Sequence, residues 1–174
     1  MSQTESKKYS LDTSAMLQIS KTYPIHLFPK VWEKIERAAE EGKLFVLDKV
    51  YNELSRKDDF THNWIKSIKK KIVKVSGTIV ESKAAEVVIA FPKIIDPDSE
   101  YEQADPYLIA DALLEVSVIV TCEKPHQLPL QANRLKDKIP NVCDHFGIAN
   151  IHTQVGGERV IIELFEALGF TDLG

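Results

Sequence analysis

A chain of 174 residues suits one domain large enough to bury a sizeable core. Its 44% hydrophobic and 28% charged residues are an ordinary globular mix, and no stretch approaches the roughly 20 apolar residues of a membrane span. The net charge of −4 excludes a global basic field for coating DNA, but not an enzyme that meets nucleic acid through metal ions and a local basic ridge.

The polar start MSQTESKK lacks the apolar segment of a signal peptide, and residues 1–7 are expected as a flexible N-terminus. Tyr9 and Leu11 then fit one face of a strand that ends at Asp12. Residues 14–20 read as a short helix, broken in KTYPIHLFPK by Pro24 and Pro29. VWEKIERAAEEGK is a helix with Val31, Trp32, Ile35 and Ala38 on one face and Gly42 at its stop. KLFVLD is a short apolar strand, and DKVYNELSRK a helix expected to be capped by Asp48. DDFTHNWIKSIKKKIV reads as a further helix, with Phe60, Trp64, Ile65, Ile68 and Ile72 at near-helical spacing.

TIVESKAAEVVIAF follows as a helix whose Thr78 and Glu81 have capping-box spacing. A long acidic loop, PKIIDPDSEYEQA, leads to DPYLIADALLE, a helix with Asp105 expected at the N-cap and Pro106 at the first helical position. VSVIVT is a continuous apolar strand that suits a buried parallel sheet. IPNVCDHFGI reads as a short helix ended by Gly147, and residues 155–174 as the C-terminal helical segment, ended by Gly169. Strands alternating with helices predict a single α/β domain over residues 1–174, a sandwich on a mostly parallel sheet.

In such sheets ligands bind outside the carboxyl ends of the strands. Asp12 follows the first strand, Glu123 follows VSVIVT, Glu53 lies within about two turns of the helix after the second strand, and Asp105 starts a helix feeding VSVIVT. Four carboxylates at one sheet edge repel each other, and a hard divalent cation is the usual partner for such a set. Each acid also has a plainer role: Asp12 and Asp105 as helix caps, Glu53 paired to Lys49 or Lys57, Glu123 as a solvated turn residue. Asp111, roughly 120° around the helix from Asp105, reads as a surface charge rather than a ligand.

The five histidines show no zinc spacing, and VGGERV has no phosphate-loop pattern. Cys122 and Cys143 form neither a disulfide framework nor a metal motif, so a reducing cytoplasm is expected and Cys143 is read as a buried structural cysteine. The dense basic run Lys66, Lys69, Lys70 and Lys71 is usually a solvated face; Lys66, Lys69 and Lys70 are the candidates for contact with an RNA backbone.

Taken together, the segments resemble the PIN-domain nucleases, and within them the VapC-like toxins of prokaryotic toxin–antitoxin modules. SLDTSAML resembles the family's opening strand and first aspartate, VYNEL its second acidic motif, ADPYLIADAL its third, and VIVTCEKP its last strand and fourth acid, all in order from residue 8 to about 150. IPNVCDHFGI resembles the tail of a subgroup of PIN-like proteins without assigned function. The resemblance implies a three-layer α/β/α sandwich and an acidic pocket binding Mg²⁺ or Mn²⁺. It also implies endonucleolytic cleavage of RNA leaving a 5′-phosphate. Asp12, Glu53 and Asp105 would hold metal, Glu123 would support a second ion or its waters, and Ser14 would orient a ligand or water. The family usually has Asp where Glu123 stands. Expected partners are RNA, a small antitoxin protein and a second copy of the chain. The alternative is a non-catalytic PIN-like module that binds RNA or protein.

Overall fold

A computed structural model describes residues 6–127 and 136–173. Most of the expected flexible N-terminus, residues 1–5, lies outside the described residues, as does residue 174 of the C-terminal segment.

The chain runs β1 (Tyr9–Leu11), α1 (Thr13–Thr22), α2 (Pro29–Glu40), β2 (Leu44–Leu47), α3 (Asp48–Leu54), α4 (Asp59–Ser67), α5 (Lys69–Ile72), β3 (Val73–Lys74) and α6 (Thr78–Ala90). After a 3-10 turn at Pro92–Ile94 come α7 (Asp105–Glu115), β4 (Val118–Val120), α8 (Ile139–Phe146), β5 (Asn150–Ile151) and α9 (Gly157–Ala167). The sheet has the order β3-β2-β1-β4-β5 and every pairing is parallel. Tyr9 lies in register with Leu44 on one side and Val118 on the other. Right-handed crossovers place α1–α5 on one face and α6–α8 on the other. The packing agrees: α1 lies against α9 and α3, α6 against α7, and α7 against α8. The fold is the α/β/α sandwich.

Both faces of the sheet are covered, and strands β2 and β4 are wholly apolar: VIV in β4 is buried along its length, and Leu44, Val46 and Leu47 of β2 are buried too. Val31, Trp32, Ile35, Ala38 and Ala39 form the buried stripe of α2, and Trp32 Nε1 donates to Tyr23 O at 2.7 Å. Burying each of the larger side chains is worth about 1.5–3 kcal/mol. That helix stops at Gly42, where φ is 69°. Lys43 N donates to Ala38 O and Gly42 N to Ala39 O, the paired bonds of a left-handed stop that turns the chain into β2.

Several local expectations give way to tertiary contacts. The segment expected as one helix through residue 73 breaks at Ile68 (φ −115°, ψ 22°) into α4 and α5, because Val73 is drawn into extended pairing with Val46. Asp48 does not cap α3. Leu47 is the N-cap, and the Asp48 carboxylate instead accepts from Ser76 N at 3.1 Å and Ser76 Oγ at 2.7 Å, tying down the chain after β3. Thr78 and Glu81 form no capping box; Gly77 is the N-cap of α6 and no side chain bonds there. Asp111 is not a surface charge. Its side chain is 1% exposed, and it accepts from Lys74 Nζ at 2.6 Å, joining α7 to β3. Within 155–174 the helix is confined to Gly157–Ala167. No helix among the described residues is long and apolar enough to cross a membrane.

Candidate functional site

The strand order reverses between β1 and β4, the point in a doubly wound sheet where a crevice opens at the carboxyl ends. Asp12 follows β1 and Thr121 to Glu123 follow β4, so the chain delivers both to that crevice. A pocket of about 300 Å³ lies there, and Asp12, Glu53, Asp105 and Glu123 all line it. Asp96 and Glu102 add two more carboxylates, against three basic side chains, Arg56, Lys57 and Lys136.

Asp12 fills both roles open to it. It caps α1, accepting from Ala15 N at 2.7 Å, and it faces the pocket. Its other partners are hydroxyls: Ser14 Oγ at 2.8 Å and Thr121 Oγ1 at 2.7 Å. Ser14 in turn accepts from Cys122 N at 2.9 Å, so its hydroxyl clamps Asp12 between the ends of β1 and β4. Asp12 is 5% exposed, and burial pushes its carboxyl from 3.8 up to about 7, against the pull of those three partners and with a further push from Glu123.

Glu53 pairs with neither Lys49 nor Lys57. Its carboxylate accepts from Ala104 N at 2.9 Å and from the Thr13 hydroxyl, so it links α3 to the starts of α1 and α7. Lys49 pairs with Glu102 at 2.9 Å instead. Asp105 is the first helical residue of α7 rather than its cap; Ala104 takes the cap position, and its own side chain makes no capping bond. Freed from capping, the Asp105 carboxylate accepts from Lys136 Nζ at 2.6 Å. Burial raises the Asp105 carboxyl above its ordinary value, Lys136 opposes this, and the charges of Glu123 and Glu53 add to the rise. Lys136 itself is held above its ordinary value: burial pulls it down, but Asp105, Glu123 and Glu53 outweigh that.

Glu123 is not a solvated turn residue. Its side chain is 18% exposed; it accepts from Ile139 N at 2.8 Å and pairs with Lys138 at 3.3 Å, so it satisfies the N-terminus of α8. Burial pushes the Cys122 and Cys143 thiols up to about 12, so neither is poised as a nucleophile. Lys66, Lys69 and Lys70 line a separate groove of about 540 Å³ that shares no lining residue with the acidic pocket. Lys69 Nζ sits 4.5 Å over the Tyr51 ring, and Lys71 pairs with Glu36 and Glu40.

The structure therefore brings the four expected acids and Ser14 to one pocket and leaves the lysine run elsewhere. Sequence reading assigned no site role to Thr13, Thr121, Arg56, Tyr101 or Lys136, and Lys57 entered only as a partner for Glu53. Arg56 and Lys57 stand three and four residues after Glu53, a spacing that could have flagged them. Lys136, 31 residues from its partner Asp105, carries no such signal.

The donor set is hard and anionic, which suits Mg²⁺ or Mn²⁺. An ammonium already sits among the acids as a stand-in cation. Among the described residues no three of His, Cys, Asp and Glu are close enough to hold a metal in this arrangement, so a bound ion requires the carboxylates to close up and Lys136 to leave Asp105.

These features define an α/β/α protein with an acidic crevice at the switch point of a parallel sheet. Residues 9–155 match the model of a family described as Domain of unknown function (DUF4411), and the chain belongs to that family. No curated protein matches the chain.

Proposed function

We propose that the protein is a divalent-metal-dependent endoribonuclease of the PIN type, the cytoplasmic toxin of a type II toxin–antitoxin pair. One observation carries the reading: Asp12, Glu53, Asp105 and Glu123, from four separate parts of the chain, line a single pocket at the sheet's switch point. Asp12, Glu53 and Asp105 would hold Mg²⁺ or Mn²⁺, and Glu123 would support a second ion or its waters. When bound, the cation supplies Lewis acidity and an activated water for phosphodiester hydrolysis. The chain's own groups do the rest. Ser14 and Thr121 fix the Asp12 carboxylate, Thr13 fixes Glu53, and Arg56 and Lys57 offer positive charge to a phosphate at the rim.

The test is incubation of the purified protein with labelled single-stranded RNA, with Mn²⁺ and with chelator. Cleavage only with metal, abolished by Asp12→Asn, supports the reading; cleavage that survives both changes ends it.

A second reading is a non-catalytic PIN-like binding module. The Lys136–Asp105 ion pair favours it, because the protein then neutralises its own acids with a tethered cation. A folded protein that binds RNA but leaves it whole at saturating Mn²⁺ is the outcome that selects it.

A further inference from the structure

The rim of the acidic pocket is built differently from its floor. Arg56 and Lys57 follow the end of α3, and the connection between the 3-10 turn and α7 brings Tyr101 to the same rim. The Arg56 guanidinium lies 4.4 Å from the centre of the Tyr101 ring, and Arg56 Nη1 donates to Asn52 O at 3.1 Å. Tyr101 is 58% exposed, so the ring is not part of the core.

The loop that presents it is braced. Tyr101 N donates to Ser99 Oγ at 3.2 Å, and Ser99 Oγ donates back to Tyr101 O at 3.1 Å. Asp96 N donates to Gln103 Oε1 and Gln103 Nε2 to Asp96 O, both at 3.0 Å. The neighbouring Glu102 is held by Lys49 and by the Tyr107 hydroxyl. Ordering a large aromatic outside the core, with a guanidinium over its ring, sets an exposed aromatic ring and a positive charge beside an anionic pocket. A ligand matching both needs a planar π face next to a phosphate, which is the chemistry of an unpaired nucleotide.

We propose that Tyr101 and Arg56 form a stacking platform for one nucleobase of single-stranded RNA, with Lys57 on an adjacent phosphate, so that the neighbouring phosphodiester lies over the acids. The proposal rests on the nuclease reading and narrows its substrate to unpaired strands, because a base within a duplex has both faces covered.

The test is fluorescence anisotropy with a labelled single-stranded oligoribonucleotide and the full chain carrying Asp12→Asn, so that Mg²⁺ can be present while the RNA stays whole. Adding Tyr101→Ala should weaken binding by about 5- to 150-fold, the loss expected for one stacked base. Tyr101→Phe should stay within about twofold, since it keeps the ring. A duplex of the same sequence should bind more weakly and respond little to Tyr101→Ala. Unchanged affinity in Tyr101→Ala, or equal loss for duplex and single strand, overturns the platform. Absence of any RNA binding overturns it as well. If Tyr101-dependent binding is found but the unmodified protein never cuts RNA, the platform stands and the nuclease reading falls. If the unmodified protein cuts RNA while Tyr101→Ala binds normally, the reverse holds.

Discussion

Replacing Asp12 with asparagine should make the protein more stable at neutral pH. Asp12 is buried, and its carboxyl rises from 3.8 to about 7 on folding. Below about pH 4 the group is protonated in both states and costs nothing. Between about pH 4 and 7 the unfolded chain releases the proton while the folded chain keeps it, so stability is lost as pH rises. Above about pH 7 both states are ionised and the whole difference stands, about 4 kcal/mol for a pKa rise of about three at ~1.4 kcal/mol each. Asparagine removes the charge at nearly constant shape. It has one acceptor oxygen for Ala15 N and the Ser14 and Thr121 hydroxyls, an offset of about 1–2 kcal/mol. The net gain is about 2–3 kcal/mol, or roughly 4–12 °C in Tm for a domain of this size. Calorimetric melts of both proteins from pH 4 to 8 in chelator should show a gap that opens as pH rises. A gap independent of pH, or a variant less stable at pH 8, would refute the reasoning.

Lys136→Met removes the ammonium that sits on Asp105, and titration calorimetry should show tighter Mn²⁺ binding; weaker binding would mean that the lysine does not compete with the ion. Glu123→Asp draws the carboxylate back from Ile139 N and should cost about 1–2 kcal/mol, whereas Glu123→Gln keeps an acceptor in reach and should cost less; equal melting temperatures would contradict the α8 contact. Lys74→Met leaves the Asp111 charge buried alone and should cost about 3–5 kcal/mol in denaturant unfolding. Adding Asp111→Leu should recover most of that loss, and a double variant as unstable as the single one would count against the pair.

The parts of the fold that could be read from the sequence were those with a period to read. VIV and LFVL are apolar without interruption, and the α2 stripe repeats over three turns with a glycine at its end. The two-residue strands β3 and β5 have no period, and their pairing depends on Val46 and Val120, far away in sequence. That blindness propagated: Lys74 arrives on the unseen β3, so the burial of Asp111 was invisible although its distance from the acidic pocket was readable from the helix angle. The acids themselves were legible because Asp12 and Glu123 follow strands, Asp105 starts a helix, and Glu53 lies on the helix that follows β2. Their partners were not. Nearby lysines suggested local pairs for Glu53, yet Ala104 N and Thr13 reach it from 51 and 40 residues away. A single position separates Asp105 as a cap from Asp105 as a pocket residue, and only the helical backbone of Ala104 decides it.

The most direct measurement is anomalous diffraction from a crystal soaked in Mn²⁺. A divalent-metal nuclease should show a peak bounded by the carboxylates of Asp12, Glu53 and Asp105, with Lys136 drawn away from Asp105. Saturating Mn²⁺ with no peak in the pocket, and Lys136 Nζ still on Asp105, would contradict the metal-dependent mechanism.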